Sequence, residues 1–98
     1  MLKFAVNGDV LSTTAPELQK QLSALLESDR AVQSFDLLEI DLRSAAMVDS
    51  VGLSLLVWAW KAVKERGARL RLRIASPDIE RTFRFTRLSS HIDVVREP

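Results

Sequence analysis

Cysteine is absent from this 98-residue chain, which excludes disulfides and thiolate chemistry and suits a reducing compartment. Histidine occurs once, as His91. No cysteine or carboxylate cluster lies near it at metal-ligand spacing, and no acid–serine arrangement accompanies it for nucleophilic hydrolysis. A surface or strand-start histidine is the expected role. The three glycines, Gly8, Gly52 and Gly67, are isolated, so neither GxGxxG nor GxxxxGK[ST] is available to cradle a phosphate. A net charge of +1 provides no global field for nucleic acid or an anionic bilayer. The longest apolar run, Leu55 to Trp60, is too short to span a membrane. The N-terminus lacks the apolar run and cleavage site of a signal peptide. There is no repeat, low-complexity stretch or linker, and the three prolines, at 16, 77 and 98, sit at element boundaries. What is present is a globular balance of 47% apolar and 28% charged residues, expected to form one domain over residues 1–98 in the cytoplasm, with no cofactor.

Alternation organises the chain. Leu2, Phe4 and Val6 alternate with Lys3, Ala5 and Asn7, the period of a half-buried strand that Asn7-Gly8-Asp9 then breaks. Thr14 and Glu17 have capping-box spacing with Pro16 in the first turn, so a helix is predicted there with Ala15, Leu18, Leu22 and Leu25 inward, fading around Ser28-Asp29-Arg30. Leu38, Ile40 and Leu42 alternate with Glu39, Asp41 and Arg43 to give a second strand with one wet face. A helix is predicted from Ser50 to Arg66, stopped at Gly67. Leu70, Leu72 and Ile74 alternate with Arg69, Arg71 and Arg73 as a third strand. Pro77-Asp78 opens a short helix with Ile79 and Phe83 inward, and Ile92 and Val94 make a last strand. The order β-α-β-α-β-α-β implies an α/β fold: a single sheet of about four strands, helices mainly on one face and the other face wet.

The arginines of the third strand could attract phosphates. Glu39 and Asp41 on the neighbouring strand are placed to neutralise them, and no aromatic stacking partner shares that face. Nucleic acid is therefore not an expected partner. The stretch Asp49-Ser50-Val51-Gly52-Leu53 is more informative. Either Asp49 or Ser50 can cap the helix. Gly52 costs about 1 kcal/mol against alanine inside a first turn, and capping does not need it; glycine there permits close approach of another surface. A phosphoryl group on Ser50 would meet the positive end of the helix and lie beside Asp49. At 100° per residue, Ser50, Ser54, Trp58, Lys61 and Glu65 share one stripe, and Leu53, Leu56, Ala59, Trp60 and Val63 the other side. Trp60 is thus expected in the core. Trp58 is either part of a docking face with Ser54 and Lys61, or tucked under a neighbouring loop.

The stretch LLEIDLRSAAMVDSVGL, with the helix ending KERGARLRL, resembles the STAS domain of sulfate transporters and anti-sigma factor antagonists. Asp41-Leu42, Asp49-Ser50-Val51-Gly52-Leu53 and Gly67 match its pattern in order and spacing. Asn7-Gly8-Asp9-Val10 is similar to its G-[ED]-[LV] approach to the first helix, and Phe85-Thr86-Arg87-Leu88 to its L-x-G-L element. The resemblance implies a STAS-like sheet and a non-enzymatic switch. Ser50 would be the phosphoacceptor, Asp49 its orienting neighbour and Gly52 the close-approach residue. The implied partners are a serine-kinase anti-sigma factor, bound while Ser50 is unphosphorylated, and a serine phosphatase that resets the switch. The alternative is a STAS subunit supporting the ATPase of a phospholipid-transport ABC system. Three departures stand out. Family members usually begin with one more strand, for which no counterpart is expected here, and the sheet edge so exposed is expected to invite homodimerisation by strand pairing. Leu11 stands where an acid often ends the first motif. Arg87 replaces a glycine.

Overall fold

The period-2 segments and the periodic helices take their expected places in a computed structural model that describes residues 1–28 and 35–97. The elements run β1 (Leu2–Ala5), α1 (Ala15–Leu26), β2 (Leu37–Leu42), α2 (Ser50–Glu65), β3 (Arg69–Ile74), α3 (Pro77–Phe85), a 3₁₀ turn (Leu88–Ser90) and β4 (Asp93–Arg96). The strands form one sheet in the order β1-β2-β3-β4, every pair parallel. Sequential parallel strands joined by right-handed crossovers place every connecting helix on the same face.

Register explains why that face is apolar. Leu38 lies between Leu2 and Leu70, Ile40 between Phe4 and Leu72, and Leu42 beside Ile74. These rows meet Leu56, Ala59 and Val63 of α2, Leu22 and Leu26 of α1, and Ile79 and Phe83 of α3 in one buried cluster. Gly67, at φ +74°, ends α2 in the left-handed conformation that its lack of a Cβ allows. Ser76 caps α3 by accepting the Ile79 N–H at 3.3 Å.

The opposite sheet face carries the charges, in the cross-strand pairing the sequence implies: Glu39 sits beside Arg71, and Asp41 beside Arg73. It is not uniformly wet. Glu39 is only 6% exposed, because the Arg73 and Arg71 guanidinium groups close over it at 3.1 and 3.8 Å. Arg73 also pairs with Glu97, while Asp41 binds Arg43 at 2.7 Å. Two of the three arginines of the stripe, Arg71 and Arg73, are thus occupied by the protein's own carboxylates, while Arg69 lies beside Leu37 and is exposed.

Two further expectations are corrected. The Thr14–Glu17 capping box does not form. Thr14 holds the N-cap position without a side-chain cap; its hydroxyl turns back into the preceding loop, donating to the Asp9 carbonyl and accepting the Leu11 N–H, each at 2.9 Å. Trp60 is half-buried rather than core. Its ring lies against His91, centroids 5.2 Å apart, with Lys64 Nζ 4.9 Å from the ring centre. α1 ends at Leu26, and Asp29 and Arg30 lie outside the described residues.

Candidate functional site

The loops leaving the C-terminal ends of β1 and β2 are stitched together, and the start of α2 stands on the seam. Val10 and Val48 form an isolated parallel bridge, in which Val10 N–H donates to the Met47 carbonyl at 3.0 Å and Asp49 N–H to the Val10 carbonyl at 3.1 Å. Asp9 adds a side-chain tie: its Oδ1 accepts the Ala46 and Met47 N–H groups at 2.7 and 3.1 Å. These bonds satisfy backbone groups that a seven-residue connection of irregular chain would otherwise leave to solvent.

Asp49 settles which residue caps α2. It adopts an extended conformation and its Oδ1 accepts the Gly52 N–H at 2.8 Å. Its Oδ2 accepts the Ser12 N–H, also at 2.8 Å, so one carboxylate joins the helix start to the β1–α1 loop. The Gly52 N–H, and after it the Ser12 N–H, hold the Asp49 carboxyl below its ordinary pKa, because both donors favour the charged form. Asp49 is therefore an anion at neutral pH.

Ser50, the first residue of α2, is relieved of capping and exposed. Its carbonyl receives the Ser54 hydroxyl, one turn on, at 3.1 Å. Around it are two apolar side chains in solvent, Met47 at 58% and Val51 at 43% exposure. Neither was singled out in the sequence, since an apolar residue in a short connection or a first helical turn gives no periodic signal.

Gly52 has a different reason from the one its position suggests. A Cβ there would stand 2.2 Å from the Val10 carbonyl oxygen and 3.0 Å from the Val10 carbonyl carbon. Gly52 is buried, and the surface that approaches it closely is the chain's own β1–α1 loop.

The residues expected to form a docking stripe are brought together in part. Ser50, Ser54 and Lys61 are exposed on α2, but Lys61 lies eleven residues, about 16 Å, along the axis from Ser50. Trp58 is half-buried against the core and lines a groove between α1 and α2 with Pro16, Gln19, Val51 and Ser54. It is a groove wall rather than a free anchor. Ser54 also borders a second groove, with Leu53, Val57, Thr86 and Leu88. Among the described residues no three His, Asp or Glu side chains gather to hold a metal, and no helix is long and apolar enough to cross a membrane.

The whole is a one-sided parallel α/β sheet with an exposed serine beside the capping aspartate of a strand-to-helix junction. The STAS domain model matches residues 1–97, and the chain belongs to that family. It is 34% identical over 93 residues to an anti-sigma-B factor antagonist of Bacillus subtilis (strain 168), covering 95% of this chain and 80% of that one. An anti-sigma-B factor antagonist of Listeria monocytogenes is 32% identical over 89 residues, covering 91% of this chain and 74% of its own. A sulfate transporter family protein from Wolinella succinogenes superposes with a TM-score of 0.76 at 16% identity, covering 96% of this chain and 75% of that structure. That last likeness speaks to the fold alone.

Proposed function

We propose that this protein is an anti-sigma factor antagonist that works as a partner switch controlled at Ser50. With a free hydroxyl at Ser50 it binds a serine-kinase anti-sigma factor and so releases the sigma factor; phosphorylated, it lets the kinase go, and a serine phosphatase restores it. The relatives named anti-sigma-B factor antagonist, at 34% and 32% identity, support the antagonist role. The observation that carries the switch is the division of labour at the start of α2. Asp49 takes the capping bonds, and Ser50 stands beside it, exposed and free of that duty.

The chemistry follows from charge. Transfer of the γ-phosphoryl group of ATP makes a bond from Ser50 Oγ to phosphorus, breaks the bond to the ADP oxygen and releases the hydroxyl proton. The product carries about −1.5 to −2 charge at the positive end of α2, next to the ionised Asp49. A contact surface of exposed Met47 and Val51 that excludes water around a small hydroxyl would then have to bury a dianion, whose desolvation is costly without paired cations.

Incubation with ATP and the serine-kinase anti-sigma protein of the same genome tests the reading. A mass gain of one phosphate, absent in Ser50→Ala, is the expected result. Absence of phosphorylation, together with co-purification of an ABC-transporter ATPase, would replace the switch with the transport-subunit reading.

A further inference from the structure

The end of α3 carries two surface features. Phe85, its last residue, is 81% exposed, whereas Phe83 two residues earlier is fully buried. Arg87 adopts φ +60°, the left-handed region in which a side chain is strained and glycine is favoured. Among the described residues it is the only non-glycine to do so. It follows the C-cap Thr86, the place where a left-handed residue commonly ends a helix, here filled by arginine instead of glycine. Arg81 and Arg84 on the same helix are paired with Asp78 and Glu80, but Arg87 has no carboxylate partner among the described residues. The corner adjoins an apolar groove lined by Leu53, Ser54, Val57, Thr86 and Leu88. Ser54 places the edge of that groove four residues, about 6 Å, along α2 from Ser50, so a surface that covers Ser50 can extend onto it.

We propose that Phe85, Arg87 and this groove form a second contact for the protein partner that engages Ser50, one that takes an apolar side chain flanked by a carboxylate. The inference rests on the partner-switch reading and adds the partner's chemistry at a place distinct from the phosphoacceptor. The apolar element fills the groove between α2 and the 3₁₀ turn and covers Phe85. The carboxylate meets the unpaired Arg87 guanidinium, for which a bidentate geometry is available. The phosphoacceptor makes binding conditional, and the corner selects which partner is bound.

Titration calorimetry with the purified serine-kinase anti-sigma protein of the same genome tests this, using the full unphosphorylated chain. Phe85→Ala and Arg87→Glu are expected to weaken binding by about tenfold or more, the range of a central contact. Arg87→Gly separates fold from recognition: relief of the left-handed strain raises the melting temperature, while loss of the guanidinium weakens binding several-fold and lowers its salt dependence. Ser50→Asp is the control for the underlying reading. If Ser50→Asp releases the partner while the Phe85 and Arg87 variants bind as the parent does, the second contact is overturned and the switch stands. If the unmodified chain does not bind that kinase at all, both are overturned.

Discussion

An alanine Cβ at position 52 would overlap the Val10 carbonyl oxygen at 2.2 Å, a contact with backbone that no rotamer change relieves. Gly52→Ala is therefore expected to cost about 1–3 kcal/mol, the range for forcing extra volume into a packed site, and to push the β1–α1 loop away from α2. Urea denaturation measures the first effect and amide shifts of Ser12 and Val10 the second. Ser50→Ala should leave the urea midpoint within about 0.5 kcal/mol of the parent, as for an exposed residue with no capping role, because Asp49 supplies the cap. A large loss in Ser50→Ala would return that serine to a structural role. At Arg87, φ +60° makes the opposite prediction. Arg87→Gly is expected to stabilise the fold by about 1 kcal/mol, since a left-handed L-residue costs about 1–2 kcal/mol and glycine gives part of that back through the unfolded chain.

The elements differ in how openly the sequence displays them. β2 and β3 are legible because Leu38, Ile40, Leu42 and Leu70, Leu72, Ile74 alternate without a break, and in parallel register those rows coincide. α2 is legible from its periodicity and Gly67. The burial of Glu39 is not, because it depends on which long side chains of the next strand fold over it, a choice made in three dimensions. Likewise Thr14 and Glu17 have the spacing of a capping box, yet the Thr14 hydroxyl is claimed by Asp9 and Leu11 of its own loop. Ser50 was legible as a junction residue and Asp49 as an alternative cap; only the Ser12 and Gly52 bonds decide between them. Gly52 stands out in the sequence for its cost, but the Val10 carbonyl that explains it comes from a segment more than forty residues earlier. The Glu39 arrangement carries a test of its own. Glu39→Gln keeps the size of the side chain but removes the anion between Arg71 and Arg73. It should cost about 1.5–3 kcal/mol, the worth of hydrogen bonds to a charged group, read as a lower urea midpoint with an unchanged slope.

For the whole molecule, acid stability follows from two carboxylates at the same end of the sheet. Asp49 is held below its ordinary pKa of 3.8 by the Gly52 and Ser12 N–H groups. Asp41 is also lowered from 3.8, first by its side-chain bond to Arg43 and then, against some opposition from burial, by the Arg43 backbone N–H. A carboxyl with a depressed folded-state pKa binds fewer protons folded than unfolded, so its stabilisation is complete above the unfolded value and lost as pH falls through the folded one. Stability should therefore be flat from neutral pH down to about 5 and decline from there as protons are taken up. Asp49→Asn and Asp41→Asn each remove one of these linkages and should flatten that decline, with lower stability at pH 7 as the cost. The pair acts at sites joined to different loops, Asp49 to Ser12 and Asp41 to Arg43, so their effects on the pH slope are expected to add. Thermal melts of the parent, both single variants and the double variant between about pH 3 and 7 measure this. A double variant whose decline is as steep as the parent's would move the acid sensitivity to other carboxylates and remove Asp49's ionised capping bond as its source.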